Sequence, residues 1–287
     1  MSTVQTAMPA GIDSAALEAV ERDAQRRIRR RRALVISLRV LVLVVVLGGW
    51  ELGARLKWID PFFFSMPTAI FAQIVDWFVN GTSQGPLLTQ VWVTLEETGI
   101  GFIIGSIAGV FCGILLGRNK LMSDVFSLYI QIANSIPRVV LGSVFVIALG
   151  LGMASKVALA VVMVFFVVFA NAFQGVREAD RYMIANAQIL GASRRQVTTS
   201  VVIPSALSWI LASLHVSFGF ALVGAVVGEF LGSKQGIGLL ISTAQGAFNA
   251  SGVFAAMIVL AVVALAADYL LTAIERRLQK WRPPVAN

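Results

Sequence analysis

Six apolar runs punctuate the 287-residue sequence, at about residues 33–52, 99–116, 125–151, 157–173, 209–230 and 253–271. A run of about 20 apolar residues has one stable use, a helix that satisfies its own backbone hydrogen bonds while crossing about 30 Å of hydrocarbon. Only 13% of residues are charged, against roughly 25% in an ordinary soluble domain, so a water-soluble globular fold is excluded. The expected fold class is an all-α membrane protein with six transmembrane helices. The net charge of +8 does not point to nucleic acid, because the basic residues sit in short clusters between the apolar runs. A single cysteine, Cys112, and a single histidine, His215, exclude an internal disulfide and leave no basis for a histidine- or cysteine-built metal centre.

Loops that stay in the cytoplasm retain Lys and Arg. With both termini inside, 17 such residues fall inside: Arg22, Arg26, Arg27, Arg29, Arg30, Arg31, Arg32, Arg118, Lys120, Arg177, Arg181, Arg194, Arg195, Arg276, Arg277, Lys280 and Arg282. Only 4 fall outside, Arg55, Lys57, Lys156 and Lys234. Missing one span would scramble this asymmetry, so span count and orientation support each other. The first run follows a basic stretch as a secretory signal would, yet no small-residue cleavage site follows it, and a retained helix is expected. The chain divides into a polar, basic segment at 1–32, a six-helix domain at 33–275 and a cytoplasmic tail at 276–287. Within the first segment, residues 14–32 suit an exposed helix whose arginines meet anionic lipid. The long outer loop, residues 53–98, carries Ile70, Phe71, Ile74, Trp77 and Phe78 at helical spacing, which predicts a short helix on the membrane surface.

Gly101, Gly105, Gly109, Gly113 and Gly117 recur every four residues along the second span and predict a face that another helix approaches closely. Gly81-Thr82-Ser83-Gln84-Gly85 fits a nucleophile-elbow pattern, but it lacks the strand and the reachable histidine that such chemistry needs. Asn80-Gly81-Thr82 and Asn249-Ala250-Ser251 fit a glycosylation acceptor, a pattern with meaning only in a eukaryotic secretory setting. Ionisable residues inside spans mark protein interiors or water-filled paths. Arg138 follows Pro137 in the middle of the third span, where the broken backbone ladder and a cation together suit either path lining or a structural role. Asn134, Glu229 and His215 are further path candidates with packing alternatives. Glu229 also suits the outer interface near Lys234, and Asp268 suits the inner one. No ATP-binding G-x-x-x-x-G-K-[ST] motif is present, so no nucleotide hydrolysis is expected from this chain.

Residues 175–204 form the longest internal cytoplasmic stretch, read as two short helices separated by Gly191-Ala192-Ser193, with Met183, Ile184, Ala187 and Leu190 giving the first an apolar face. Ala185-Asn186-Ala187, Gly191, and Val201, Ile203 and Pro204, with Pro204 13 positions after Gly191, resemble the Glu-Ala-Ala loop of ABC-importer permeases. Ser65-Met66-Pro67-Thr68, Ile136-Pro137, Ala225 to Glu229, and Gly236-Ile237-Gly238 are similar to the nitrate, sulfonate and taurine permease group. Ala185 stands where the named glutamate would be, Asn186 replaces the first alanine, Val201 an isoleucine and Ile203 a leucine.

The resemblance implies a type I importer-like permease bundle in the bacterial inner membrane that pairs with a second copy. It implies an external solute-binding protein and two cytoplasmic ATPases, with ATP-Mg on those partners and no cofactor on this chain. The loop residues Ala185, Asn186, Ala187, Gly191, Arg194, Arg195, Val201, Ile203 and Pro204 would then transmit movement. A small oxyanion or sulfonate is the implied solute, with thiamine-precursor, riboflavin and aromatic-acid importers as relatives of similar build. A secondary transporter or channel is the alternative class, distinguished by transport without an ATPase; a membrane-embedded enzyme has no credible constellation.

Overall fold

The computed structural model describes residues 14–179 and 181–278. The side chains of Arg22, Lys120, Asn134, Arg181, Arg194, Arg276 and Arg277 lie outside the described residues, as do residues 1–13, Asp180 and 279–287, with Lys280 and Arg282. The chain divides into two compact units, 1–61 and 62–287. The first is built on α1 (Ser14–Arg55), a single helix of 42 residues, about 63 Å long. Its apolar part, residues 33–52, is one continuation of the basic part, so the expected exposed helix and the first span are one element.

After α2 (Pro61–Phe64), which begins at the unit boundary, the second unit contains α3 (Pro67–Val79), α4 (Leu87–Gly117), α5 (Lys120–Ser135), α6 (Leu141–Leu149), α7 (Met153–Arg177), α8 (Arg181–Ile189), α9 (Arg194–Val197), α10 (Ile203–Leu231), α11 (Ile237–Gly246) and α12 (Ala250–Leu278). Its core is the packing of α4, α7 and α10. The glycine face of α4 is the seam with α7. A Cβ on Gly105 would stand 2.8 Å from Val164 Cβ, one on Gly109 2.9 Å from Val168 Cβ, and one on Gly113 2.7 Å from Ala172 Cβ. Without side-chain bulk the two backbones approach closely, which supplies the dispersion contacts that hold helices together in lipid.

Gly101 faces Ala160 and Gly117 faces Val176 in the same way, so each glycine meets the residue fifty-nine positions later. A constant offset means that α4 and α7 run parallel. The chain between them must therefore return through the full thickness of the bundle. It does so as α5 and α6, two apolar helices bent by 71° at a break that holds Pro137 and a short 3-10 turn, Arg138–Val140. The interruption expected within the third span is thus a sharp bend, and the broken pair counts as one crossing. α10 is antiparallel to α7, since Gly224 meets Ala160 while Gly175 meets Ala206 and Trp209.

Two boundaries differ from expectation, and a third stretch keeps to it. Residues 87–98, read as outer loop, are the first three turns of α4, because their polar side chains are buried among other helices. The fifth crossing begins at Arg195 and not at 209, running 37 residues to Leu231 through α9, a π-turn at Thr198–Val202 and α10. Pro204 has no N–H to offer and its ring crowds the carbonyl four residues back, and the wider turn absorbs both. The stretch Pro61–Val79 is apolar enough to span, yet Ser65 at φ 54 breaks it, and α3 alone, with 13 residues, is about 20 Å long. Phe62 stacks on Phe248 at 6.3 Å, Ser65 Oγ lies 2.7 Å from Ser251 Oγ, and Asn249 donates to Gln73 Oε1 at 3.3 Å. Phe62, Ser65 and Gln73 thus meet residues 248–251, and α3 packs further against α12.

Candidate functional site

The bundle has two ends and a middle, and each gathers different chemistry. At one end Gln90, Thr94 and Glu97 recur along α4 and point inward with Glu229 of α10 and Lys156 of α7, each at most 2% exposed. Glu229 Oε1 accepts the Thr94 hydroxyl at 2.7 Å, and Oε2 accepts the Gly238 N–H at 2.7 Å. Gln90 Oε1 accepts the Gly236 N–H at 2.8 Å, and Thr94 Oγ1 accepts the Ile237 N–H at 3.0 Å. Gln90 and Thr94 thereby fasten the α10–α11 turn to α4, and Glu229 of α10 holds the start of α11, which satisfies three N–H groups that burial would otherwise leave unpaired. Gly236, at φ 111, allows this: a Cβ there would run into the Glu229 carboxyl. Lys156 Nζ donates to the carbonyls of Leu151 and Gly152 at 2.6 and 3.0 Å. Glu229, expected at an interface beside Lys234, is instead wholly enclosed.

At mid-depth, the half-buried Arg138 stacks its guanidinium over the Phe166 ring, 4.8 Å from the centroid. Phe166 lies about 20 Å along α7 from Met153, so the cation sits near the middle of the bundle, at the bend that Pro137 introduces. That level is about 15 Å from Lys156 and the Glu229 cluster, and the two sites are separate. His215 Nε2 lies 3.2 Å from Asp268 Oδ1, both partly exposed. Asp268, expected near the inner interface, has His215 as a partner across α10 and α12. The side chain of Asn134 lies outside the described residues.

At the other end, α8 stops in a way its sequence dictates. The Ala192 N–H bonds to the Ala187 carbonyl at 2.9 Å and the Gly191 N–H to Gln188 at 3.0 Å, the paired bonds of a helix end closed by a left-handed residue. That residue is Gly191, at φ 82. Ser193 then opens α9: its N–H donates to Gln196 Oε1 at 2.8 Å and its Oγ accepts the Gln196 N–H at 3.4 Å, a reciprocal cap. Ile184 and Ala187 pack on the cluster of Val176, Ala179, Val197 and Val202. Tyr182, Met183, Ile189 and Leu190 face outward, with Ile189 83% and Leu190 86% exposed. Of the apolar face expected on α8, half is core and half is surface. Ala185 and Asn186 lie on α8, Arg195 is exposed on α9, and Val201, Ile203 and Pro204 lie at the π-turn, not in a second free helix.

Sequence reasoning missed the buried set Gln90, Thr94, Glu97 and Lys156. A signal was present, since Gln90, Thr94 and Glu97 follow the spacing i, i+4, i+7 of one helix face. They precede the apolar run, however, and polar residues before a span read as loop.

The family model described as binding-protein-dependent transport system inner membrane component matches residues 101–280. The chain is similar to the putative aliphatic sulfonates transport permease protein SsuC of Bacillus subtilis, 28% identical over 85% of this chain and 87% of that protein. It is similar also to the formylaminopyrimidine transport permease protein ThiX of Halalkalibacterium halodurans, 27% identical over 88% of this chain and 98% of that one. Among solved structures, the MetNI methionine ABC transporter in an inward-facing conformation shares the fold, with a TM-score of 0.57 over 67% of this chain and 94% of that chain at 19% identity.

Proposed function

Because the chain belongs to the family of binding-protein-dependent transport inner-membrane components, and so is a permease subunit of an ABC importer, we propose that it pairs with a second copy to form the path for a small organic anion of the sulfonate and taurine class. In this reading an external binding protein delivers the solute at the end that holds Glu229, and two cytoplasmic ATPases dock on α8. The observation that carries the docking is the outward apolar face of α8, with Ile189 and Leu190 more than four-fifths exposed at the end richest in arginine. Such a patch suits a protein partner. The 17 to 4 distribution of Lys and Arg supports placing that end in the cytoplasm, with both termini. Closure of the ATPase pair would move α8, and through the continuous helix from α9 into α10 tilt the spans. The work of opening comes from differential contacts in the two states, not from chemistry in this chain.

For the solute, a cation at mid-depth supports an anion. Arg138 stands at the broken helix directly after Pro137, with Asn134 four positions earlier in the sequence, and discontinuous helices of this kind hold substrates near the midplane. Glu229 stands beyond this point and holds the turn that closes the far end. The relatives' names cover both a sulfonate and a formylaminopyrimidine, so Arg138 is what favours the anion. The test is uptake into proteoliposomes holding this chain, its ATPase and its binding protein, with taurine, an alkanesulfonate and a neutral pyrimidine offered in parallel. ATP-dependent uptake of a sulfonate is expected. Exclusive uptake of the neutral solute would overturn the anion assignment, and uptake without the ATPase would overturn the importer mechanism.

A further inference from the structure

We propose that a polar stripe on α5, formed by Ser127, Gln131 and Ser135, lines the cytoplasmic half of the transport path, so that the solute leaves Arg138 along it. The proposal rests on reading the chain as an importer subunit with residue 120 inside. Asp124, Ser127, Gln131 and Ser135 are spaced 3, 4 and 4 residues apart, which at about 100° per residue puts them within about 80° of one another on the helix. Val125, Tyr129 and Ile132 occupy a separate side, and all seven residues are exposed. Ser123, Ile130 and Ala133 are the ones that turn toward the bundle. α6 has 9 residues, about 14 Å, too short to return across about 30 Å of hydrocarbon alone. α5 therefore runs through the membrane, and its stripe runs with it.

Exposed polar groups at this depth need water. The Ser127 and Ser135 hydroxyls donate to the carbonyls of Asp124 and Gln131 at 2.8 and 3.0 Å, which leaves their lone pairs open. The Gln131 amide, with two donors and an acceptor, has no partner among the described residues. Lipid tails would satisfy none of these groups, whereas a water-filled path satisfies them all. The stripe also has the right ends. It stops at the bend where Arg138 follows Pro137, and it reaches Asp124 about one turn from the start of α5. Between those charges it offers only neutral hydroxyl and amide groups, which solvate an anion without holding it and so suit an exit.

The test uses inside-out vesicles that hold this chain with its ATPase and its binding protein, in a Cys112→Ala background that removes the single cysteine. Ser127→Cys, Gln131→Cys and Ser135→Cys on the stripe, and Val125→Cys and Ile132→Cys at similar depth on the other side, are each treated from the cytoplasmic face with a membrane-impermeant anionic methanethiosulfonate. Only a water-facing thiol ionises and reacts, so without nucleotide the stripe positions should react at least about tenfold faster than Val125→Cys and Ile132→Cys. With ATP and vanadate holding the ATPase pair closed, the stripe rates should fall about tenfold, because the path then opens to the other side. Equal rates on the two sides of α5, or an unreactive stripe, as packing against a second copy would produce, would overturn the proposal. Stripe rates indifferent to vanadate would overturn it too, since a static crevice is not a path. No solute enters the assay, so a wrong solute class leaves this pattern intact. Failure of the importer reading shows separately, as an ATPase that does not copurify, and the contrast between the two sides of α5 still decides whether the stripe meets water.

Discussion

A leucine at Gly109 and a leucine at Gly99 probe one helix at two positions with opposite surroundings. A Cβ at Gly109 would stand 2.9 Å from both the Phe165 carbonyl oxygen and Val168 Cβ, whereas one at Gly99 would meet nothing within 4 Å. Overpacking costs about 1–3 kcal/mol, more where backbone is the obstacle, so Gly109→Leu should cut monodisperse protein about tenfold while Gly99→Leu stays near wild type, as size-exclusion yields will show. Arg138 calls for uptake normalised to assembled complex. Arg138→Gln should lower anion uptake more than about tenfold, the worth of a charged hydrogen bond. Arg138→Lys should keep uptake and change its selectivity, because an ammonium lacks the planar fork; normal normalised uptake in both variants would remove Arg138 from the path. The glycine face was legible because a four-residue period is a local property of one helix. Its partner was not, since nothing in residues 101–117 names α7. Glu97 was illegible for a related reason: whether a carboxyl before an apolar run meets water or protein depends on α10 and the α10–α11 turn, more than a hundred residues away.

Elements end where local chemistry ends them, and the turn after α8 tests this directly. Gly191 adopts φ 82 with nothing within 4 Å of a would-be Cβ, so a substitution there acts on backbone conformation alone. Gly191→Val should destabilise the turn by about 1–3 kcal/mol, leave the membrane level unchanged, and lower both ATPase copurification and uptake. Gly191→Asn, which tolerates the left-handed region, should retain most of both; equal loss in the two variants would show that the turn's geometry is not what matters. The stop at Gly191 was readable because glycine, apolar spacing and a following Ser-x-x-Gln all lie within a few residues. The fusion of α9 into the fifth crossing was not, because Pro204 reads as a break. Only the π-turn at Thr198–Val202 lets one helix pass through it. Pro137 shows the complementary limit, where the break was legible but its 71° angle was set by packing, α5 against α4 and α6 against α7 and α10.

At the scale of the whole molecule, topology follows from two structural facts combined with one charge count. Parallel packing of α4 and α7 requires residues 120 and 154 to lie on opposite sides of the membrane, so the bent pair crosses and does not return to its own side. The break at Ser65 and the short length of α3 make the α2–α3 stretch one that is expected not to cross. The expectation is then one crossing, α1, between residues 24 and 85. Had residues 61–79 crossed as well, the N-terminal segment would share a side with residue 85, and the arginines at 26–32 would be stranded opposite Arg118 and Arg195, against the retention of basic loops in the cytoplasm. Reporter fusions after residues 24, 85, 120, 154, 195, 235 and 287 should therefore read inside, outside, inside, outside, inside, outside and inside. Agreement between 120 and 154 would refute the crossing of the bent pair, and agreement between 24 and 85 would make α2–α3 a span. Six crossings were legible from apolar length and charge alone because both are one-dimensional properties. That the third is bent and the second is fastened to the turn after α10 required contacts between residues far apart in the chain, which no one-dimensional property contains.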